Sequence, residues 1–190
     1  MNDGRLIRAA DCPLVAWKNG GGVTREIAGF PGSAGLDSFA WRLSAARVDV
    51  AGAFSHFAGV DRTIAILSGR LGLAVAGRDP VVLTPDSAAY AFPGDVAAFG
   101  TPEGGPVTDL NLMVRRGAGV GMIRALDAGA IAGIAAGTIV VASRALVLRI
   151  GARTVAMRAH DAFCFDTSPD EAVAVSAAVK IVSVARHAGV

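Results

Sequence analysis

Apolar side chains in this chain recur at every second position over short runs, and each run is cut off by Gly, Pro, Asp or Asn. Alternation of this kind sends successive side chains to opposite faces of a strand, whereas a helix needs apolar groups three and four apart over a longer window. Candidate strands are Arg5–Ala9, Val23–Ala28, Phe39–Val48, Thr63–Leu67, Leu71–Val75, Pro80–Thr84, Ala89–Phe92 and Val107–Val114. A second set follows at Ile123–Leu126, Thr138–Ala142, Ala145–Ile150, Arg153–Met157, Ala162–Phe165 and Ala178–Ala185. Many short strands separated by turn signals predict an all-β sandwich or barrel with little helix. Alanine is abundant, but the intervals between breakers are too short for ordinary helices. Asp127–Ala136 is the best place for a helical turn or an irregular crossing.

Two segments echo each other. Leu73–Asp86 and Val147–His160 both read as strand, glycine turn, strand and polar corner. Antiparallel proteins contain many such hairpins, so the echo is weak support for two related halves. The break in pattern at Arg116–Val120 divides the chain into approximate halves, 1–117 and 118–190, within one compact unit.

The length of 190 residues suits one domain, and a 53% apolar content is ample for its core. Eighteen basic and 16 acidic side chains leave a formal charge of +2, too weak a field to suggest nucleic acid. Cys12 and Cys164 are far apart and lack a CxxC partner, which fits a reducing cytoplasm. The first twenty residues lack the apolar core of a signal peptide. The longest apolar stretch, Gly129–Ala142, is shorter than the roughly 20 residues a membrane span needs. The expectation is a soluble, cytoplasmic protein with no membrane partner.

The sharpest motif is Trp17-Lys18-Asn19-Gly20-Gly21-Gly22, followed by the alternating run Val23-Thr24-Arg25-Glu26-Ile27. A cation and an amide beside bare glycine N–H groups suit a small anion. A wide surface hairpin explains the glycines equally well, and on these residues the two readings stand level. Further motifs appear in order: Phe39-Ala40-Trp41-Arg42-Leu43-Ser44, Phe54-Ser55-His56-Phe57, Gly59-Val60-Asp61-Arg62, Phe92-Pro93-Gly94-Asp95 and Asp109-Leu110-Asn111-Leu112-Met113. Together, over roughly residues 12–116, they resemble the HutD/Ves family of cupin-like proteins. The resemblance implies a bicupin-like fold of RmlC-like jelly rolls, a small-molecule site and, for the HutD branch, an association with histidine utilisation. It brings no established reaction.

Alternation places Ala40, Arg42, Ser44 and Ala46 on one face of their strand, with Phe39, Trp41, Leu43 and Ala45 on the other. Asp109, Asn111 and Met113 likewise oppose Leu110, Leu112 and Val114. An ordinary sandwich points such polar sets at water; a barrel with a ligand cavity points them inward. The cavity is favoured because Thr24/Glu26, Arg42/Ser44 and Asp109/Asn111 each fall within a family-like motif.

Metal-binding cupins resemble one another in a His-x-His…Glu set with a distant fourth histidine. Here only His56, His160 and His187 occur, and the stretch after Phe92-Pro93-Gly94-Asp95 has no histidine. No metal or other cofactor is expected. Neither a nucleophile elbow nor a P-loop is present.

The leading expectation is a metal-free binder of a small carboxylate metabolite. Arg42 would fork onto the carboxylate, with Lys18 and Asn19 covering it from the glycine loop. Ser44, Asp109 and Asn111 would fix polar orientation, Thr24 would join the ligand-binding set, and Trp17 or Phe92 would form an apolar wall. Glu26 and Asp109 more readily pair with Arg42 or Arg62 than act as bases, and Arg62 would brace the site through neighbouring Asp61. His56, more often a structural or surface residue than a ligand, would line the pocket through its place in a family-like motif. The family resemblance suggests urocanate or formylglutamate-like acids, bound for regulation. The rival is a metal-independent isomerase or hydrolase using Glu26, His56 or Asp109, and a third reading is a β protein with no dedicated ligand. Exposed strand edges leave a homodimer open.

Overall fold

A computed structural model of the chain describes residues 3–17, 20–32 and 34–186. The first part forms β1 (Gly4–Ile7), a 3-10 turn at Ala9–Asp11, β2 (Leu14–Ala16), β3 (Gly22–Phe30), β4 (Trp41–Val48), β5 (Gly52–Ala53), β6 (Val60–Ser68), β7 (Leu71–Val75), β8 (Val81–Leu83), β9 (Tyr90–Pro93), β10 (Ala98–Pro102) and β11 (Val107–Arg115). The remainder forms β12 (Gly119–Leu126), β13 (Gly129–Ile131), β14 (Ile139–Ala142), β15 (Leu146–Ile150), β16 (Arg153–Met157), β17 (Ala162–Phe165), β18 (Val173–Val175) and β19 (Val179–Arg186). No helix among the described residues is long and apolar enough to cross a membrane.

The strands form four antiparallel sheets whose order repeats. In the first part, β4-β11-β6-β9 faces β5-β10-β7-β8; eight strands later, β12-β19-β14-β17 and β13-β18-β15-β16 reproduce both orders. Each part is thus an eight-stranded jelly roll. The echoing hairpins, β7–β8 and β15–β16, hold equivalent outer places. The first inner sheet is widened by β2 and β3, while β1 crosses over to pair with β17 in the second.

Three apolar layers hold the sheets together. Ile64, Ile66, Leu71, Leu73 and Phe92 fill the first roll. Val140, Leu148, Ile150, Phe163 and Phe165 fill the second. Leu43, Leu110, Leu112, Ile139, Val141 and Val182 pack the two inner sheets against each other. The centre of the first inner sheet, around Leu43, Ser44, Leu110 and Asn111, is therefore buried on both faces.

Several local expectations change. Phe39 precedes β4 instead of starting it, and it packs with Val60 and Met113 rather than on the face of Leu43. The 127–136 stretch is not helical: it contains β13, then irregular chain. β2, β5, β10 and β18 are additional strands.

Candidate functional site

Cross-strand register assembles a polar row on one face of the first inner sheet. Asp109 lies opposite Ala46, and Ala46 opposite Thr24; one rung on, Asn111 meets Ser44 and Ser44 meets Glu26. The next rung joins Met113 to Arg42 on one side and to Arg62 on the other, with Arg62 opposite Phe92. Ile64 and Ile66 share this face, so the row looks into the first roll.

Burial makes the row costly. Ser44, Arg62, Asp109 and Asn111 are all buried, Asp109 completely. Both Asp109 oxygens, Asn111 Oδ1 and Arg62 Nε make no hydrogen bond. Unpaired buried polar atoms carry a desolvation penalty that a folded protein seldom tolerates without a use for them.

Arg62 lies among three aromatic rings, with its guanidinium carbon 4.8 Å from the Phe54 centroid, 5.3 Å from Phe92 and 5.8 Å from Phe57. These ring faces partly replace water around the cation. Its Nη1 also makes a long 3.4 Å contact to the Ser55 carbonyl. Burial lowers the Arg62 pKa to about 10, against the opposing charge of Asp109. Burial likewise raises Asp109 to about 7, and the Arg62 charge and the nearby Ala46 amide offset only part of that rise. A carboxyl poised near neutrality can hold or release a proton inside the roll.

At the margin of the row, Arg42 Nε donates to Glu26 Oε2 at 2.7 Å, with the arginine 15% and the glutamate 41% exposed. The Trp17 indole donates to Thr24 Oγ1 at 2.7 Å. Gly20 has φ +71°, and the Gly21 carbonyl accepts from the Asp49 amide at 3.0 Å. Lys18 and Asn19, expected to cover the ligand, lie outside the described residues, as does His187.

The pairing of Arg62 with Asp61 is overturned. Alternation turns Asp61 away from Arg62, and Asp61 instead accepts from Arg116 Nε at 2.9 Å. Arg116 also forks onto Asp95 at 2.7 and 2.9 Å. Arg42, expected to be open to a ligand carboxylate, already holds Glu26, the competing pairing foreseen above. His56 is exposed on its loop, with Nε2 3.1 Å from the Asp95 carbonyl. Phe54 and Phe57 escape a reading by alternation because they flank a loop; the signal was their place in the Phe54–Phe57 motif. Among the described residues no group of three or more His, Cys, Asp and Glu side chains could hold a metal ion. Two clefts of about 430 and 320 Å³ open among the described residues; the larger takes in Arg25, Arg47 and His160. The smaller runs past Arg62, Phe92 and Val120.

Two jelly rolls packed through their inner sheets define a cupin-like, bicupin architecture, and the polar row marks the interior of the first roll. The match to the HutD family model spans residues 9–183, and the chain belongs to that family. It is 43% identical over 114 residues to an uncharacterized 21.2 kDa protein in the hutC 3' region of Pseudomonas putida. That match covers 60% of this chain and 59% of the relative. Protein Ves of Citrobacter koseri is 34% identical over 116 residues, 60% of each chain. The chain thus spans about three-fifths of the length of the curated relatives it matches. HutD from Pseudomonas fluorescens SBW25, solved in a formate condition, superposes with a TM-score of 0.82 at 27% identity, covering 97% of this chain and 99% of that one. PA5104, a conserved protein of unknown function from Pseudomonas aeruginosa PAO1, gives 0.83 at 31% identity, with 97% and 100% covered. Ylba of E. coli, at 7% identity and a TM-score of 0.70 over 96% and 90% of the two chains, shares the fold alone.

Proposed function

We propose that the protein is a metal-independent, cupin-like binder of a small carboxylate metabolite, and that binding serves regulation of histidine utilisation in the cytoplasm. The supporting observation is the enclosed row of unpaired polar atoms on Asp109, Asn111 and Arg62, adjoining the Arg42–Glu26 pair. Glu26 occupies the guanidinium edge that a ligand carboxylate would take, so the ligand displaces Glu26 and enters past it. Ser44 and Asn111 then orient its polar end, and Arg62 with its phenylalanines closes the far side. The link to histidine utilisation rests on the names of the relatives. It suggests urocanate and N-formylglutamate as first ligands.

The test is calorimetry and thermal shift with those two acids. A ligand at 100 times its Kd stabilises by about 2.7 kcal/mol. Arg42→Met is expected to abolish binding while the fold survives. Glu26→Gln, which weakens the competitor, is expected to tighten it. Unchanged affinity in both variants would remove this site from consideration.

A second reading is favoured by Asp109: a carboxyl with a pKa of about 7 suits a general acid or base at neutral pH. In this reading the protein is a metal-independent isomerase or hydrolase. Turnover of either acid by chelator-treated protein, lost in Asp109→Asn, would establish it; saturable binding without turnover would dismiss it.

A further inference from the structure

The opposite face of the same inner sheet carries a ligand-sized cleft, of about 430 Å³. That volume lies within the range of roughly 300–1,000 Å³ usual for small-molecule sites. Leu14, Val23 and Ala45 form its apolar wall, and Arg25, Thr108 and His160 its polar one. The register explains the grouping. Arg25 stands between Leu14 and Ala45, while Val23, Arg47 and Thr108 make the adjacent rung. Each is the chain neighbour of a residue in the inward row or on its rungs, so alternation turns it to the other side.

Of the charged residues that line this cleft, Arg25 and Arg47 outnumber Asp49. Asp161 is buried and accepts from the amides of Ala9 and Arg158, both at 2.9 Å, and from Arg8 Nη1 at 2.8 Å. Asp49 is held by Arg47 Nε at 2.8 Å. These two carboxylates therefore each have an arginine. Arg25 is left over. Its Nη1 donates to the Ala9 carbonyl at 2.6 Å, a neutral acceptor, and it forms no ion pair among the described residues.

His160 adds a second signal. Its φ of 69° is in the left-handed region, which residues with a side chain rarely occupy. The turn is fixed by the His160 amide donating to Ala142 at 2.7 Å and the Asp161 amide donating to Arg158 at 3.1 Å. The imidazole, half-buried at the cleft, makes no hydrogen bond among the described residues. Burial, reinforced by Arg25 and opposed by Asp161, lowers its pKa and favours a neutral ring.

We propose that this cleft binds a small monocarboxylate with an apolar body. The unengaged edge of Arg25 holds the carboxylate, the Thr108 hydroxyl and the His160 ring bond it from the sides, and Leu14, Val23 and Ala45 cover the body. One unmatched arginine beside a neutral imidazole calls for one negative charge, which selects a carboxylate over a phosphate dianion. The site is separate from the inward row and does not depend on its function.

Sodium benzoate titrated into isotopically labelled full-length protein tests the proposal by NMR. The expected result is saturable shifts at Val23, Thr108 and the His160 ring, with affinity at least about tenfold weaker in Arg25→Gln. Arg70→Gln, which removes an arginine from the β6–β7 turn, is expected to leave affinity unchanged. Should Arg25→Gln fail to fold, His160→Asn serves instead, since asparagine tolerates left-handed φ; it is expected to weaken binding several-fold. Inorganic phosphate is expected to bind at least about tenfold more weakly than benzoate, following the charge argument. Absence of shifts, shifts confined to Ser44 and Asn111, or undiminished affinity in the variants would overturn the site. Phosphate binding as tightly as benzoate would overturn the monocarboxylate assignment.

Discussion

Replacing Asp109 with Asn isolates the cost of the one fully buried carboxyl in the inward row. Folding raises its pKa from 3.8 to about 7, chiefly through burial. Between those values the native state binds a proton that the unfolded chain has released, so stability falls as pH rises through the window. At ~1.36 kcal/mol per pH unit, the rise corresponds to a loss on the order of 4 kcal/mol, complete once pH exceeds the folded pKa. Asn is nearly isosteric and never ionises, so Asp109→Asn removes this dependence. Arg62 keeps its charge in both proteins, and other titrating groups cancel in the difference. Urea denaturation of parent and variant in parallel supplies the measurement. The two are expected to be nearly equally stable near about pH 4, and the variant to gain on the order of 4 kcal/mol by about pH 8. Parallel pH profiles, or a variant less stable than the parent at about pH 8, would refute the claim that Asp109 enters the fold as a neutral acid.

Other substitutions test the scaffold. A Cβ on Gly22 would lie 2.2 Å from the Arg47 carbonyl oxygen, so Gly22→Ala must push β3 off β4, and chemical denaturation is expected to show a loss of several kcal/mol. Gly20→Ala meets nothing within 4 Å and bears only the strain of φ +71°, about 1 kcal/mol by the same assay. Asp161→Ala strands the amides of Ala9 and Arg158 together with Arg8, and is expected to cost about 3 kcal/mol or more in a thermal melt. Elemental analysis of the purified protein is expected to find no stoichiometric transition metal; a tightly held equivalent would contradict the argument from the sparse histidines.

Strict alternation is what makes a strand legible in this chain. β7, β16 and β17 have the bounds their sequence pattern predicts, because each alternates cleanly or is apolar throughout and ends at a turn residue. β5 has two residues, β2 and β18 three each, and β10 is Ala98-Phe99-Gly100-Thr101-Pro102, whose glycine and proline read as breakers. Their pairing comes from neighbouring strands, which a local window does not see. The candidate site divides along the same line. That Arg42 and Ser44 share a face follows from their spacing, but the partner Arg42 takes depends on β3 lying beside β4. Alternation also rules out the Arg62–Asp61 pairing, since adjacent strand residues point to opposite sides. The rings around Arg62 come from residues 54, 57 and 92, which only the closed roll brings together.

The position of the inner sheet decides between the two meanings of a polar strand face. In a sandwich with one wet side, Ser44, Asp109 and Asn111 would be solvent groups of no consequence. Here one face of β4 and β11 packs through Leu43, Leu110 and Leu112 on the second roll, and the other looks into the first. The buried centre of this sheet offers Ser44, Asp109 and Asn111 no water in either direction, so their cost must be met by partners inside the protein or by a ligand. Apolar substitutes at 44, 109 and 111 would spare the fold that cost, as the equivalent inner strand of the second roll illustrates: β19 carries Ile181 and Val182 in the two cores beside it. Its one buried cation, Lys180, donates to the Pro85 carbonyl at 2.7 Å. Among the described residues the first roll retains unpaired buried groups and the second does not, an asymmetry between otherwise matching halves that the proposed binding role would require.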